Sequence, residues 1–320
     1  MSRALEVRLA PTRQVRVRAM AKVNLDLRVL AKRPDGYHDL RTIFQTISLA
    51  DSLDIAYTPG RQTDIEAEDS LNIPDNLVVR AARLAMEAMG ARGRVELRLV
   101  KRIPMGAGLG GGSSDAAAVL LALPVLVGRT LDAARMRELA EQLGSDVPFF
   151  LLGGQAVGIG RGSELFPLPD QPACPGVLVA PGIHVSTPEA YRRLSPRLTS
   201  ESLQNKIVSF QSRTWEPVSG VAGANDFEEV VFEQHPELAI LKKRLVVAGA
   251  STAMMTGSGS ALFGLFHNRD EVTRAIASLR EEKTFRISLV NRVRYRAMWW
   301  QALKQHIDGR VWPPRSRYLR

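Results

Sequence analysis

Apolar and polar residues alternate along much of the first hundred positions, and this period of two predicts strands. In RVELRLV, at 94–100, a charged residue stands at every second position between valine and leucine. One face of this strand is therefore apolar and the other polar, which is typical of an antiparallel sheet with one solvated side. Strands are predicted over 15–30, 41–49, 52–57 and 94–100. Between the first two, RPDGYH at 33–38 predicts a turn, because Pro-Asp-Gly presets the bend.

Other stretches space their apolar residues by three and four, which predicts helices. The helix that starts at Leu77 has Asp75-Asn76 before it as an N-cap, and Gly90 ends it. Two further helices are predicted, over 131–144 and 226–247.

From about residue 166 the prolines of FPLPDQPACPG predict a crossover into a second domain. That domain carries a strand at 176–180 and a glycine-serine turn, TGSGS, at 256–260. Antiparallel strands mixed with helices predict an α+β fold. The expected domains are residues 15–165 and residues 166–298, followed by a basic, tryptophan-containing tail at 299–320.

The composition, 45% hydrophobic and 24% charged, is that of a soluble globular protein. No uninterrupted apolar run is long enough to cross a bilayer, and the basic, alternating N-terminus is unlike a secretory signal. The single cysteine, Cys174, excludes an internal disulfide and suits a reducing compartment, so we expect a cytoplasmic protein. The five histidines lie far apart, and we predict no metal site built from side chains.

The formal net charge of +10 is concentrated at the two ends of the chain. Residues 1–18 hold five arginines against one glutamate, and residues 292–320 hold eight lysines and arginines against one aspartate. One interpretation is that both ends are solvated and frayed, and composition favours it. The other is weak contact with RNA, anionic lipid or a partner, because Trp299, Trp300 and Trp312 lie among these arginines.

The stretch PMGAGLGGGSSD, at 104–115, has five glycines in seven positions and leads into a predicted helix capped by Ser113 or Ser114. Such a cluster costs backbone entropy and needs a reason. A helix N-terminus offers unpaired N–H groups and a partial positive charge, and glycine lets the backbone approach an anion. We therefore interpret the stretch as a phosphate-binding loop rather than a flexible linker. Pro124 should kink or stop the helix near Leu123, well away from the loop.

Gly106, Gly108 and Gly111 also match the GxGxxG dinucleotide fingerprint. The first strand of a Rossmann unit is buried on both faces, whereas the strand at 94–100 is charged at every second position. The acidic residue expected about 20 positions later would be Asp132, which begins a helix instead. No lysine follows the glycines, so a Walker A loop is also excluded.

The run PMGAGLGGGSSDAA resembles the second signature of the GHMP kinase superfamily, whose glycine-serine loop wraps the phosphates of ATP. Three other stretches narrow the resemblance to the branch that acts on 4-diphosphocytidyl-2-C-methyl-D-erythritol: AKVNLDLRVLAKRPDGYHDLRTIFQTISLAD, GSDVPFFLLGGQAVGIGRGSEL and MTGSGSALFGLF. The likeness extends from about residue 17 to about residue 298, and its pieces occur in the family's order.

This resemblance implies a two-domain GHMP kinase fold. Its N-terminal half would be ribosomal-S5-domain-2-like, its C-terminal half ferredoxin-like, and the active site would lie in the cleft between them. It also implies ATP as phosphoryl donor, with Mg²⁺ carried mainly by the nucleotide phosphates. The implied ATP-binding residues are Pro104, Met105, Gly106, Ala107, Gly108, Leu109, Gly110, Gly111, Gly112, Ser113 and Ser114.

The resemblance assigns two catalytic residues. Lys22, in the AK-N motif, would stabilise the transferring phosphate oxygens, although pattern alone favours a surface lysine on a wet sheet face. Asp146, in GSDVP, would accept or orient the proton of the substrate hydroxyl, with Lys22 keeping its carboxylate ionised. Pattern alone also allows Asp146 to be a turn or cap residue.

The implied substrate contacts are Asn24, Tyr37, His38, Thr187 and Tyr191. Tyr37 and Tyr191 would sandwich a cytosine, and His38 would hydrogen-bond its polar edge. Each has a plainer interpretation as well: Asn24 as a polar residue on an exposed strand face, Tyr37 as a cover for the sheet edge and Thr187 as a helix cap.

The implied activity is ATP-dependent phosphorylation of the 2-hydroxyl of that cytidine-containing small molecule, in the non-mevalonate route to isoprenoid precursors. One alternative is another GHMP kinase, for homoserine or a sugar; DGYH and Tyr191 argue against it, because those substrates contain no base. The other is a non-catalytic binding protein that uses its basic tails on nucleic acid, and the presence of both Lys22 and Asp146 argues against that. No obligate protein partner is implied.

Overall fold

A long hairpin organises the first half of the structure, which is a computed structural model that describes residues 11–198 and 223–307. Its strands, β1 (Arg13–Lys32) and β2 (His38–Pro59), pair antiparallel along nearly their whole length around the predicted turn. The strands predicted over 41–49 and 52–57 are thus one continuous strand. The other strands of this sheet are β3 (Asp64–Asp69), β4 (Gly93–Val100), β5 (Gln155–Gly160) and β6 (Glu164–Pro167).

On the side of β2 away from β1, two strands pair with different parts of β2, which explains the length of β2. β4 pairs with residues 52–59 of β2 and β5 with residues 40–45, both antiparallel. β6 extends the sheet beside β5, and β3 lies parallel to β4. Buried and exposed residues alternate along β4 without a break, so the predicted strand with one wet face is confirmed.

Four helices belong to this half: α1 (Leu77–Ala88), α2 (Gly111–Val127), α3 (Ala133–Leu143) and α4 (Val147–Leu152). Asn76 caps α1 as predicted, because its side chain accepts a hydrogen bond from the amide of Val78.

The helix after the glycine loop differs from the prediction at both ends. α2 begins at Gly111, and its N-cap is Gly110 in the left-handed region (φ 68°), so the predicted serine caps, Ser113 and Ser114, lie inside its first turn. It also continues past Pro124 to Val127 and ends at Gly128. Pro124 lies in the last turn, where the missing amide removes one hydrogen bond and the helix has little left to disrupt.

A four-stranded antiparallel sheet forms the second half, in the order β10–β7–β9–β8. Its strands are β7 (Pro175–Val179), β8 (Thr252–Met255), β9 (Leu262–Leu265) and β10 (Thr284–Ser288). Its helices are α5 (Thr187–Leu194), α6 (Phe227–Gln234), α7 (Pro236–Val247) and α8 (Arg269–Ser278). The single helix predicted over 226–247 is therefore wrong: His235 leaves the helical region and Pro236 starts a new helix.

Three apolar cores hold these layers. The first packs α1 to α4 against one face of the six-stranded sheet, and the second packs the second-half helices against the four-stranded sheet. The third lies between the two sheets and joins Val23 and Ile43 of the first half to Leu178 and Phe263 of the second. Both faces of the middle of β1 are consequently buried.

The last described helix, α9 (Arg292–Leu303), returns to the first half. Tyr295 and Trp299 are buried in the first core, and the Tyr295 hydroxyl donates a hydrogen bond of 2.6 Å to the carbonyl of Phe150. Residues 299–303, predicted as the start of a solvated tail, therefore lie in a packed helix. The rest of that tail, from 308 with Trp312, falls outside the described residues.

Candidate active site

A cavity of about 980 Å³ opens between the two halves of the molecule. Its walls come from β1 and β2, the glycine loop, the α3–α4 connection, α5 and the 256–260 turn. Both predicted catalytic residues and all five predicted substrate-binding residues line it: Lys22, Asp146, Asn24, Tyr37, His38, Thr187 and Tyr191.

Lys22 carries its ammonium group into the protein interior. The residue is 3% exposed, so the surface position that its pattern favours is wrong. Its Nζ donates to Asn24 Oδ1 at 2.8 Å, lies 3.5 Å from Asp146 Oδ2 and stands over the Phe44 ring. The third core covers this part of β1, which a period-two pattern within one strand cannot show.

Asp146 directly precedes α4 but does not cap it through its side chain. Its carboxylate remains 31% exposed toward the cavity, in contrast to the buried ammonium of Lys22. Its negative charge, together with the larger effect of burial, raises the pKa of the nearby Tyr191 to about 12. The carboxylate is thus held beside a fixed cation while one side stays open to an incoming hydroxyl.

Asn24 connects the lysine to the second half. It is 1% exposed, and its Oδ1 accepts hydrogen bonds from Lys22 Nζ and from the amide of Gly257 at 3.0 Å. Its Nδ2 donates to Thr42 Oγ1 at 2.7 Å, and its backbone amide donates to Thr256 Oγ1. The exposed strand face suggested for Asn24 is therefore wrong, and its polar atoms fix Lys22 against the 256–260 turn.

The glycine loop turns three times through the left-handed region, at Gly106, Gly108 and Gly110 (φ 64°, 76° and 68°). Ala107 and Leu109, between these glycines, point into the third core. The loop therefore turns only backbone outward here, as an anion-binding loop does.

The loop has no room for side chains at two of its glycines. A Cβ on Gly108 would overlap the carbonyl oxygen of Thr256, and one on Gly110 would lie 2.9 Å from the Phe150 ring. A Cβ on Gly108 would also lie 3.2 Å from the Cα of Gly257, so the backbone of the loop is in direct contact with the backbone of the 256–260 turn. Of the eleven predicted ATP-binding residues, Gly108, Gly110 and Ser113 line the cavity. Ser114 is buried, and its hydroxyl donates to the carbonyl of Met20 at 2.7 Å.

The aromatic residues gather at the end of the cavity formed by the β1–β2 turn. His38 stacks on Tyr191 with ring centroids 4.6 Å apart. The Ser195 hydroxyl donates to the Tyr191 carbonyl and therefore accepts a 2.6 Å hydrogen bond from His38 Nε2. Burial, with a smaller effect of Lys32, lowers the pKa of His38 and so favours the neutral ring.

Tyr37 faces a different partner, the guanidinium of Arg161, which lies 3.6 Å from the centre of its ring. One face of Tyr37 and one face of Tyr191 are thus covered by protein side chains. The sandwich of cytosine between these two tyrosines stays a prediction.

The second half contributes a hydroxyl pair to the cavity wall. Thr187 is the first residue of α5, not its cap, and its Oγ1 lies 2.6 Å from Ser258 Oγ in the 256–260 turn. Behind that turn, Asn225 is buried and donates to the carbonyls of Met255 and Gly257.

Several lining residues carry no signal that sequence reasoning used: Lys32, Arg161, Arg192, Ser195 and Ser258. Arg161 and Ser258 lie inside motifs quoted for the resemblance, so their position in the sequence could have drawn attention to them. Lys32 also lies inside a quoted motif, whereas Ser195 could not be found this way, because only the fold brings it beside His38. The described part of the chain holds no group of three or more His, Cys, Asp or Glu side chains arranged to bind a metal ion. Nor is any described helix long and apolar enough to span a membrane.

Comparison with known proteins identifies the two halves. Residues 76–154 match the family model described as the GHMP kinases N terminal domain, and residues 207–283 match the GHMP kinases C terminal model. A curated relative from Solibacter usitatus (strain Ellin6076), a 4-diphosphocytidyl-2-C-methyl-D-erythritol kinase, is 66% identical over 97% of this chain and 99% of its own length.

Solved structures agree. A crystal structure of 4-(cytidine 5'-diphospho)-2C-methyl-D-erythritol kinase matches with a TM-score of 0.71 and 40% identity, over 86% of this chain and 98% of its own. A homoserine kinase from Cytophaga hutchinsonii matches with a TM-score of 0.61 over 91% of this chain and 98% of its own, but at 17% identity it shows the fold alone. The predicted α+β, two-domain fold is confirmed, and the chain belongs to the GHMP kinases, in the family of the 4-diphosphocytidyl-2-C-methyl-D-erythritol kinases.

Proposed function

We propose that the chain transfers the γ-phosphate of ATP to the 2-hydroxyl group of 4-diphosphocytidyl-2-C-methyl-D-erythritol, a step in the non-mevalonate route to isoprenoid precursors. One observation carries the chemistry: the buried Lys22 ammonium lies 3.5 Å from the half-open carboxylate of Asp146, in a cavity bordered by the start of α2. A cation, a base and a phosphate-binding helix end are the parts that phosphoryl transfer needs.

The glycine loop and the N-terminus of α2 would bind the triphosphate. Gly108 and Gly110 present backbone alone to the cavity, and the first amides of α2 have no acceptor within the helix. We assign ATP contacts to Pro104–Ser114, mainly through backbone, because Ala107, Leu109 and Ser114 are buried. Mg²⁺ would be held by phosphates and water, since Asp146 is the one carboxylate among the described residues that line the cavity.

Asp146 would accept the proton of the substrate hydroxyl. Lys22 would interact first with the Asp146 carboxylate and then with the phosphate that is transferred. Its charge lies 3.5 Å from the Asp146 carboxylate before transfer and would face the phosphate oxygens as the hydroxyl attacks. The hydrogen bonds from Lys22 to Asn24, and from the 256–260 turn to Asn24, hold this cation in place.

The cytidine would occupy the aromatic end of the cavity. Tyr37 and Tyr191 offer ring surface to the base, and the unprotonated Nδ1 of His38 offers an acceptor for its exocyclic amine, because Nε2 donates to Ser195. Thr187 would donate to the ligand from the opposite wall. Homoserine and simple sugars would leave these aromatic groups unused.

The test is coupled ADP release with the cytidyl methylerythritol substrate, homoserine, galactose and mevalonate. We expect turnover with the first alone. Asp146→Asn should lower kcat by about 10²–10⁴, the usual contribution of a general base, and Lys22→Met by about 10²–10³. Matched controls are Glu281→Gln and Lys283→Met, which remove exposed charges outside the cavity and should leave kcat unchanged.

Near-normal turnover by Asp146→Asn would show that Asp146 is not the general base. Turnover of homoserine or galactose, with none of the cytidyl substrate, would overturn the substrate assignment.

A further inference from the structure

The ammonium group of Lys22 takes its position mainly from one oxygen atom. Its Nζ lies 2.8 Å from Asn24 Oδ1 and 3.5 Å from Asp146 Oδ2. Of these two contacts, only the first is within the usual length of a hydrogen bond. Whatever fixes Asn24 Oδ1 therefore also fixes the cation of the reaction centre.

The same oxygen atom is held from the second half by the 256–260 turn. The amide of Gly257 donates to Asn24 Oδ1 at 3.0 Å, and the Thr256 hydroxyl donates to it at 3.2 Å. The turn is tight at this point, because Gly257 has a φ of 58° and a Cβ on it would lie 2.9 Å from the Cα of Gly108. The shape of the turn thus sets the position of Asn24 Oδ1.

Asn225 holds the other side of this turn. It is 4% exposed, and its Nδ2 donates to the carbonyl of Gly257 at 2.7 Å and to the carbonyl of Met255 at 2.9 Å. Its Oδ1 accepts a hydrogen bond from the amide of Phe227 at 3.0 Å. Gly257 is therefore held by two asparagine side chains, because Asn24 accepts from its amide and Asn225 donates to its carbonyl.

The backbone on both sides of Asn225 is attached to β1. Asn225 forms an isolated parallel bridge with Leu27. The amide of Leu27 donates to the carbonyl of Ala224 at 2.8 Å, and the amide of Asp226 donates to the carbonyl of Leu27 at 3.0 Å. Leu27 is three residues beyond Asn24 on the same strand. The contacts consequently run from β1 through Asn225 and the turn, and return to β1 at Asn24.

We propose that Asn225 is a positioning residue for phosphoryl transfer, which keeps the 256–260 turn in the shape that orients Asn24 and, through Asn24, the ammonium group of Lys22. The assignment rests on the proposed function. Asn225 is not among the described residues that line the cavity, so it acts on the reaction only through this series of hydrogen bonds.

The first test is ADP-release kinetics of Asn225→Ala. This substitution should lower kcat by about 10–100-fold, and much more than it raises either KM, because a small displacement of a catalytic group is costly. Asn225→Ser keeps one donor, so it should lose less kcat, and it carries the test if Asn225→Ala does not fold. The matched control is Val230→Ala, which truncates a buried side chain of α6 in the second core and should leave kcat near that of wild type.

The second test combines Asn225→Ala with Lys22→Met. If Asn225 acts through Lys22, the double variant should turn over about as fast as Lys22→Met alone, because two changes that act through one group are not additive.

A third measurement, amide hydrogen exchange followed by NMR, does not depend on activity. Asn225→Ala should accelerate exchange at Gly257 more than at the amides of β9, whereas Val230→Ala should not single out Gly257.

The outcomes separate this role from the proposed function. If wild type turns over none of the four substrates, the proposed function fails, and the positioning role fails with it. If wild type is active and Asn225→Ala keeps its kcat, the positioning role alone is overturned. Losses of kcat that multiply in the double variant would show that Asn225 acts independently of Lys22, and a raised KM with normal kcat would show that it acts on binding; either result contradicts the assignment.

Discussion

At the scale of single residues, the buried ammonium group of Lys22 lies next to a group of opposite charge, the Asp146 carboxylate. Lys22 and Asn24 lie in a stretch of β1 that reads as half exposed, yet both are buried because the second half covers them. The resemblance to the GHMP kinases pointed to Lys22 and Asp146, whereas local pattern favoured a surface lysine and a turn or cap aspartate. Local pattern describes one strand, whereas the burial of Lys22 depends on a sheet more than 150 residues away in sequence.

A second buried cluster lies beneath the glycine loop and was not predicted at all. Lys101 Nζ is 2.7 Å from Asp115 and also pairs with Asp51, and all three side chains are at most 4% exposed. Asp51 further accepts hydrogen bonds from the amides of Arg102 and Ile103, so the cluster fixes the chain that enters the loop. Asp115 Oδ1 has no hydrogen-bond partner in the described structure.

This cluster predicts a pH dependence of stability. Burial raises the pKa of Asp115 to about 7; Asp51 adds to this, and Lys101 opposes it. The folded state therefore holds a proton that the unfolded chain releases at lower pH, so stability is lost as pH rises from about 4 to about 7. Asp115→Asn should remove that loss, and its free energy of unfolding relative to wild type should rise by roughly 1–3 kcal/mol between pH 5 and pH 8.

Urea denaturation at a series of pH values measures this difference. Glu281→Gln, an exposed carboxylate outside the cluster, is the control and should run parallel to wild type. A constant offset between Asp115→Asn and wild type from pH 5 to pH 8 would contradict the assignment.

At the scale of elements, the contact between the glycine loop and the 256–260 turn joins the two halves at the cavity. The sequence predicted both glycine-rich segments, since a dense glycine run requires unusual backbone angles. It could not predict that Gly108 and Gly257 touch, because backbone contact between distant segments leaves no pattern in either.

A comparison of Gly108 with Gly182 separates the stability cost of losing the backbone contact from the stability cost of the left-handed backbone angle. Gly108 and Gly182 both have φ 76°, but a Cβ on Gly182 meets nothing within 4 Å, whereas one on Gly108 overlaps the Thr256 carbonyl. Gly182→Ala should cost about 1–2 kcal/mol of stability from the left-handed angle alone, with normal KM for ATP. Gly108→Ala should cost more and should also raise KM for ATP, because the loop must move off the turn.

Urea denaturation and ADP-release kinetics on both variants check this pair. Equal effects of the two substitutions on stability and on KM would show that the backbone contact has no role.

At the scale of the whole molecule, we expect the third core to make the two halves unfold as one cooperative unit. It joins both sheets through side chains of the middle of β1 and of β9, so neither half can open without exposing it. The prolines that follow residue 166 suggested a second domain, but a core shared between the two sheets is visible only in the fold.

Phe263→Ala tests this coupling. Phe263 is fully buried in the third core, and its removal should lower the free energy of unfolding by about 3–5 kcal/mol. Hydrogen exchange should accelerate together at the amides of β9 and of β4, which lie in different halves. Phe166→Ala, which removes a 55% exposed aromatic ring, is the control. Faster exchange in β9 with unchanged exchange in β4 would mean that the halves unfold separately.

Because α9 packs against the first half, that half can complete its core only after α9 has been synthesised. Tyr295 fills the space beside Gly153, where a Cβ would overlap its ring, and Trp299 lies in the same core. A ribosome that adds about 5–20 residues per second needs roughly 7–30 s to pass from β6 to the end of α9. Throughout that interval the nascent first half lacks the helix that completes its core and presents apolar surface to chaperones, so the packing around Phe150 is finished only after residue 303 has been made.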